Sequence, residues 1–374
     1  MQNKRIFAIS MVKNEADIIE SFVRYNLNIV DGMIILDNGS TDDTLKILEL
    51  LESEGLHVFI FEDENREYNQ AKKMNQLLLK AVNEFKADIV VPLDADEFLV
   101  SSKGGNPRAI LEKIGISTFY KVKWKTYVPN FNENENEKFV LAKVTFARDE
   151  SLEEFYKVII PANLVKKYNV KLTKGNHDLI CNKKHNNSIK EVLNTDLRIA
   201  HFPIRSKEQA TSKISVGWIN RLCEITRSKN DSWHLEKMFN DLKESGKIEN
   251  EDAINFAKRY ALNNDNNNIK LKKDPIDLSY CNNITIKYTD KQINSMKNLL
   301  NNCEQLSLDY LNFKRKALAE EERLKTNIEN LKKEKSMVEK RLKHEIEEYK
   351  NSTSWIITSP LRKMSTRIKN LRNI

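Results

Sequence analysis

The sequence predicts an α/β fold: a mixed, mostly parallel sheet with flanking helices, followed by a C-terminal helical extension. Three observations predict it. Short, nearly all-apolar runs alternate with segments of helical period, the pattern of strands covered on both faces. Two of these runs end abruptly in acidic clusters, Asp37-Asn38 and Asp94-Ala95-Asp96-Glu97. From about residue 290 the pattern changes to one long, highly charged helix.

The elements follow in order. RIFAISMV (5–12) has strand length. Ile18, Ile19, Phe22, Val23 and Leu27 recur at helical spacing, so 14–30 read as a helix. MIIL (33–36) is a second strand, and in the DNGSTDDT that follows, Ser40 or Thr41 can cap a helix through 53. Val58 to Phe61 form a third strand. Residues 69–85 are helical, with Leu77, Leu78, Ala81, Val82 and Phe85 as the apolar side. Ile89 to Leu93 form a fourth strand. Between 119 and 127, Tyr120, Val122 and Trp124 alternate with Lys121, Lys123 and Lys125, a half-exposed strand. Residues 138–145 and 157–160 read as further strands, antiparallel additions at one edge. Val170 to Leu172 precede a turn, TKGNHD. Residues 206–225 and 235–260 read as helices, and 263–270 are polar and Asn-rich. The expected domains are 1–220 for the sheet domain, 221–285 for a helical subdomain, 286–350 for the long helix and 351–374 for a basic tail.

Composition narrows the function. Of 374 residues, 40% are apolar, enough to bury a core. The net charge is +8, but 20 basic and 12 acidic residues lie from Cys281 onward, so the excess belongs wholly to the last quarter. Phosphate tracking needs a basic patch, and the neutral first 280 residues argue against nucleic acid as a partner. Four cysteines without CxxC spacing argue against a zinc site or a disulfide framework. No apolar run approaches 18 residues and the N-terminus turns charged early, so neither a membrane span nor a leader is expected and the expected location is cytoplasmic. GxGxxG and GxxxxGK[ST] do not occur.

The last quarter carries two amphipathic patterns. Leu324, Ile328, Leu331, Val338, Leu342 and Tyr349 recur at 3-, 4- and 7-residue spacings, with Ile346 near the stripe and Lys335 in the seam. This is a short coiled coil, and it predicts a homo-oligomer through 290–350. The competing reading is a helix packed on its own domain. In the tail, Ser359 suits a cap and Pro360 the first turn, while Leu361, Met364, Ile368 and Leu371 share a face opposite Arg and Lys. With Trp355 just ahead, this predicts an in-plane contact with an anionic membrane surface, against a disordered or partner-bound tail.

The acidic clusters lie where chemistry is expected. Parallel sheets bind ligands beyond the carboxyl ends of their strands, which places Asp37 and Asp94/Asp96 on one rim. Two carboxylates one residue apart converge where the backbone turns, and Mg2+ or Mn2+ takes such oxygens while leaving room for phosphate. His201 opens HFPIRS after an apolar strand, where it can complete a metal site or touch phosphate. Arg205 and Lys213 are near enough in sequence to serve a diphosphate. For each, the plainer alternative is a satisfied core or surface side chain, as it is for Glu97.

These residues carry a resemblance. SMVKNEADIIESFVRYN (10–26), DGMIILDNGSTDDT (31–44) and DIVVPLDADEFL (88–99) resemble the family-2-like glycosyltransferases of the GT-A fold. HFPIRSKEQATSKISVGW (201–218) resembles the later histidine-bearing motif of the bacterial branch, so the likeness spans about the first 220 residues. It implies a nucleotide-sugar donor, of UDP-sugar type, on the N-terminal half. Asp37 would recognise the base, and the loop with Met11, Lys13 and Glu15 would surround the nucleoside. Asp94 would lie near ribose or metal, Asp96 would be the principal ligand of Mn2+ or Mg2+, and His201 a further metal or phosphate contact. Arg66, Gln70 and Lys73 would pack near the donor. The family box often reads Asp-Asp where this chain has Asp37-Asn38.

The implied chemistry is inverting transfer, with Asp178 as the base and Asp149, Glu150 and Glu153 as competitors. Ser352, Trp355, Thr358, Pro360, Leu361 and Arg362 resemble the SxxWxxTxPLR tail of many bacterial surface-polysaccharide glycosyltransferases. That implies cell-surface glycan assembly at the inner membrane face, on a glycan, lipid-linked or protein acceptor. The alternatives are a nucleotidyltransferase, disfavoured because MVKNEA lacks the Gly-rich loop, and a coiled-coil scaffold with an inert sheet domain.

Overall fold

The computed structural model describes residues 3–63, 69–131, 136–153, 155–181, 189–222, 233–262, 269–281, 284–289 and 294–371. The chain forms two compact units, Met1–Asn302 and Cys303–Ile374.

The first unit begins with β1 (Ile6–Val12), α1 (Ile19–Asn26), β2 (Gly32–Asp37), α2 (Thr44–Ser53), β3 (Val58–Glu62), α3 (Gln70–Asn83) and β4 (Ile89–Pro92). β1 lies between β2 and β4 and pairs parallel with both, and β3 pairs parallel with β2. Side chains on both faces of β1, β2 and β4 are buried, which is why these runs read as unbroken apolar stretches. The register sets Val12 opposite Asp37 and Ile9 opposite Pro92, so the strand ends that carry the acidic clusters share one rim.

Beyond the turn at residues 94–96 come β5 (Glu97–Ser101), α4 (Arg108–Leu111), β6 (Thr118–Val128), α5 (Val140–Lys143), β7 (Phe146–Arg148), β8 (Tyr156–Pro161), α6 (Ala162–Tyr168), β9 (Lys171–Leu172), β10 (Leu179–Ile180), β11 (Lys190–Leu193) and β12 (Leu197–His201). β8 pairs antiparallel with β4, and β6 antiparallel with β8 and with β7, the edge additions the sequence predicts. β12 pairs antiparallel with β5 and parallel with β6, which brings His201 opposite Glu97. The unit closes with α7 (Lys207–Leu222), α8 (Trp233–Ser245), α9 (Asn250–Arg259) and β13 (Leu271–Lys273), an edge strand on β7.

Three expectations are corrected. The run at 138–145 is not a strand: Val140–Lys143 is a helical turn that buries Phe139, Val140, Leu141 and Val144, and the strand starts at Phe146. A short apolar run fits a buried turn as well as a buried strand. The helix expected at 235–260 is two helices, broken where Gly246 takes a left-handed φ of 73° and restarted by a reciprocal cap between Glu249 and Asp252. The helix expected at 14–30 starts only at Ile19, because Asn14 (φ 56°) leads the chain into a loop.

Aromatic packing joins the motif-bearing elements. Phe98 is fully buried and meets Phe22, Tyr25 and Phe202 at centroid distances of 6.0, 5.6 and 5.4 Å. A later segment straps α1: the backbone N–H groups of Lys287, Tyr288 and Thr289 donate to the buried Glu20 carboxylate at 2.9, 2.7 and 2.9 Å.

α10 (Ser295–Asn351) starts in the first unit, where the Asn298 amide donates to Ser212 Oγ at 3.2 Å. In the second unit the helix continues with exposed side chains on its faces and is followed by α11 (Thr353–Ile357) and α12 (Ser359–Leu371). The tail motif has a local structure. Ser352 caps α11 by accepting from Trp355 N at 3.3 Å, and the Arg362 guanidinium lies 3.7 Å from the Trp355 ring centroid while also donating to Thr358 Oγ1. Among the described residues no helix is long and apolar enough to cross a membrane.

Phe98→Ala removes the ring shared by α1, β5 and the segment after β12. It is expected to cost about 3–5 kcal/mol, read as a lowered urea midpoint with an unchanged slope.

Candidate active site

A cavity of about 710 Å³ opens on the rim at the ends of β1, β2 and β4. Its floor is the turn after β4. Asp94 N donates to Glu97 Oε2 at 3.0 Å, Glu97 N to Asp94 O at 3.0 Å, and Phe202 N to Asp96 O at 2.8 Å. These bonds fold the acidic cluster so that Asp94, Ala95 and Asp96 all line the cavity.

Each acidic group here meets a tethered cation. Lys157 on β8, with its side chain 1% exposed, donates to Asp94 Oδ2 at 2.6 Å and Gly175 O at 2.8 Å, and lies 3.1 Å from Glu97 Oε2. Burial pushes the Glu97 carboxyl up to about 8 against the pull of Lys157. Lys213 on α7 donates to Asp96 Oδ2 at 2.6 Å. Burial works against ionisation of Asp96, but the Lys213 ammonium, with the Arg205 guanidinium, outweighs it and holds the carboxyl well below its usual range. Arg205 donates to both Asp17 oxygens at 2.6 and 2.7 Å and to Glu15 Oε2 at 2.7 Å. Burial still pushes Glu15 up to about 7.

The two early motifs are locked together. Asn14 N donates to Ser40 Oγ at 3.0 Å, Asn14 Oδ1 accepts from Thr41 N at 2.7 Å, and Glu15 N donates to Thr44 Oγ1 at 2.8 Å. The loop after β2 therefore shapes the loop after β1, and Met11, Lys13, Asn14 and Glu15 line the cavity.

The expected residues divide. Met11, Lys13, Glu15, Gln70, Asp94, Asp96 and His201 line the cavity. Asp37 does not: its carboxylate closes its own turn on Ser40 N and Oγ, and Asn38 faces the cavity instead. Lys73 lies buried behind, donating to Asn38 Oδ1 at 2.5 Å and paired with Asp63 at 2.7 Å. Arg205 sits against Glu15 rather than in the lining. Arg66 lies outside the described residues. Asp178 is not in the lining; it pairs with Lys121 at 3.1 Å, its side chain 48% exposed. Its competitors are also elsewhere: Asp149 accepts from Ser151 N, Glu153 is buried in a bidentate pair with Arg148, and the Glu150 side chain lies outside the description.

Sequence reading missed the opposite wall. Trp124 stacks on His201 at 4.2 Å, Phe155 lies 5.1 Å from His177, and Tyr260 meets His201 edge-on at 5.3 Å. All five rings line the cavity. The alternation of β6 flagged Trp124 as inward, but which cavity it faces depends on pairing with β8 and β12. Lys157 had a signal as well: it is a charge at an inward position of an otherwise apolar strand. Gly175 is required where it stands, since a Cβ there would lie 2.4 Å from His177 Nε2 and its φ is 77°.

The donor set suits a divalent cation only in part-protein form. Asp96 Oδ2 and His201 Nε2 are 3.8 Å apart, both buried, and burial brings His201 down to about 3, so its ring is neutral and able to ligate. Among the described residues no group of three or more His, Cys, Asp or Glu side chains is placed to hold a metal. One carboxylate and one imidazole, completed by phosphate and water oxygens, fit Mg2+ or Mn2+.

Residues 8–102 match the model of glycosyl transferase family 2, a stretch that runs from within β1 through β5 and holds Asp37, Asp94 and Asp96. That match covers about a quarter of the chain, the part that carries both acidic rim motifs, and the curled, mostly parallel sheet with flanking helices around it is GT-A-like. No curated protein matches the chain. Solved structures to which it is similar include S. aureus TarS 1–349 in complex with UDP, at 14% identity and a TM-score of 0.33, covering 64% of this chain and 72% of that one. A second is the mannosyltransferase PcManGT from Pyrobaculum calidifontis in complex with GDP-Man and Mn2+, at 15% identity and 0.35, covering 69% and 74%. A third is glucosyl-3-phosphoglycerate synthase from Mycobacterium tuberculosis in complex with phosphoglyceric acid, at 16% and 0.30, covering 56% and 75%.

Lys157→Met leaves Asp94 without its counterion. It is expected to destabilise the first unit by about 1–3 kcal/mol in urea unfolding at neutral pH, and adding Asp94→Asn should recover part of the loss.

Proposed function

We propose that the chain transfers a glycosyl group from a nucleoside-diphosphate sugar, of UDP-sugar type, to a hydroxyl of a glycan, lipid-linked or protein acceptor, with inversion and with Mn2+ or Mg2+. The observation that carries this is one cavity lined on one side by the rim loops with Asn38, Asp94, Asp96 and His201, and on the other by aromatic rings. A mixed wall of carboxylates, lysines and rings suits a charged diphosphate beside a sugar, whose apolar faces stack on aromatic side chains.

In this reading Asp96 and His201 hold the cation, which when bound supplies charge stabilisation to the departing diphosphate. Lys213 turns from Asp96 to the phosphate oxygens. Asn38 takes the base-recognition role first expected of Asp37, since its amide both donates and accepts. Gln70 and Lys157 position Asp94 beside the ribose. The base passes from Asp178 to His177. The His177 Nδ1 donates to Tyr156 O at 2.7 Å, which leaves Nε2 as the basic nitrogen, and burial lowers its pKa so that it is neutral at working pH. As the acceptor oxygen bonds to the anomeric carbon, its proton passes to Nε2 and the bond to the diphosphate breaks on the opposite face.

We assign the second unit to placement. The exposed stripe of α10 joins copies of the chain. Trp355, Ile356, Leu361, Met364 and Ile368, all exposed and set among basic residues, lie on an anionic membrane surface, which fits cell-surface glycan assembly at the cytoplasmic face.

Calorimetric titration with UDP and UDP-sugars is expected to show Mn2+-dependent binding that Asp96→Ala abolishes; equal affinity with Mn2+ and with chelator would reject the donor reading. His177→Gln should leave that binding intact and lower turnover by about 10²–10⁴-fold, while a matching loss in Asp178→Asn would return the base to its first assignment. Deleting residues 351–374 is expected to weaken binding to anionic vesicles without changing the urea midpoint of the first unit.

A further inference from the structure

We infer that the stripe of α10 binds a second copy of this chain in the antiparallel direction. The inference rests on the self-association proposed above and adds its direction. Leu324, Ile328, Leu331, Val338, Leu342 and Tyr349 are 51% to 71% exposed along one helix. Apolar side chains spaced this way form a seam that a partner helix covers. The spacing sets a heptad with Leu324, Leu331 and Val338 at d and Ile328, Lys335, Leu342 and Tyr349 at a. Glu334 and Arg341 then stand at g, and Lys332 and Glu339 at e.

These flanking charges choose the direction. In a parallel, in-register pair, Glu334 of each copy faces Glu339 of the other, and the two Lys335 side chains meet in the seam. Both contacts are like-charged. In an antiparallel pair, a positions pack on d positions and g meets g while e meets e. Leu331 then packs on the second copy's Leu342, Leu324 on its Tyr349, and Lys335 lies against Val338 rather than against itself. Glu334 meets Arg341 and Lys332 meets Glu339, and the twofold axis repeats each pair. Within one chain, Arg341 pairs with Glu345 at 2.9 Å and Lys335 with Glu339 at 3.9 Å. These pairs are exposed and weak, so they do not hold the charges back from a partner.

The occupant is therefore a second copy, because the reversed helix complements its own flanking charges and sets Leu324 on Tyr349 and Leu331 on Leu342, while Glu345, the d residue opposite Ile328, stays paired with Arg341 of its own chain. A different partner protein would have no reason to match that internal symmetry.

The test uses the full chain with its four native cysteines, Cys181, Cys223, Cys281 and Cys303, changed to serine. Leu331→Cys and Leu342→Cys are oxidised separately and as a reduced, then oxidised, mixture. In the antiparallel pair, like positions stand roughly 16 Å apart at about 1.5 Å of rise per residue, beyond disulfide reach. Neither variant alone is expected to cross-link, and the mixture is expected to give a covalent dimer. A covalent dimer from either variant alone would overturn the direction and leave self-association standing. A monomer by sedimentation equilibrium of the unmodified chain would overturn self-association and the inference with it.

A charge exchange gives a second readout of opposite sign. Glu334→Lys is expected to weaken the dimer at least about tenfold, and Glu334→Lys with Arg341→Glu to restore it. A tighter dimer from Glu334→Lys alone would indicate the parallel pair and overturn the proposal.

Discussion

The rim of the sheet is built around compensation of buried carboxylates by tethered cations. Glu15, Asp96 and Glu97 are all withdrawn from water, and Asp94 is largely so. An uncompensated buried charge costs several kcal/mol: the ionised Asp96 avoids it through Lys213, whereas burial pushes the Glu15 and Glu97 carboxyls up to about 7 and about 8 despite the cations beside them. Lys157 serves Asp94 and Glu97, Lys213 serves Asp96, and Arg205 serves Glu15 and Asp17. These cations come from β8, α7 and the segment after β12, far along the chain from the acids they neutralise. The later half of the first unit is thereby pinned to the earlier half at the place where a ligand enters.

The same arrangement makes the cavity responsive to ligand charge. Under the proposed function, a lysine on an aspartate is a reversible occupant: it stabilises the carboxylate when the diphosphate is absent and follows phosphate oxygens when it is present. Lys213 has this freedom because it lines the cavity at the end of a flexible stem. Arg205 does not, since its guanidinium is committed to two carboxylates and to Phe202 O. The difference between a structural and a mobile cation thus follows from the number of bonds each makes.

The two units answer different physical problems. The first buries a large apolar core on both faces of its sheet. The second leaves its apolar side chains on the surface of single helices, supported among the described residues by short-range caps, i,i+4 ion pairs and the Trp355–Arg362 stack. Such helices gain their stability from what covers them, which is the physical ground for proposing association as that unit's role.

Much of this protein was determined by sequence alone. The core strands, the position of the acidic clusters at strand ends and the long charged helix follow from periodicity, because burial on both faces of a strand and on one stripe of a helix leaves a local record. The turn at residues 94–96 belongs to a short motif and was legible as such, whereas the lock between Asn14 and the Ser40–Thr44 loop was not, since 14–30 read as a helix and Ser40 or Thr41 as its neighbour's cap. What only the tertiary structure decided is which polar groups meet. Asp37 turned to Ser40 and left Asn38 to the cavity, Asp178 went to Lys121, and Lys157 reached Asp94 across more than sixty residues of chain. Charge pairing of this kind acts through space between elements whose order in the sheet no local pattern records. For the same reason the aromatic wall of Trp124, Phe155 and Tyr260 emerged only when β6, β8 and β12 were placed side by side.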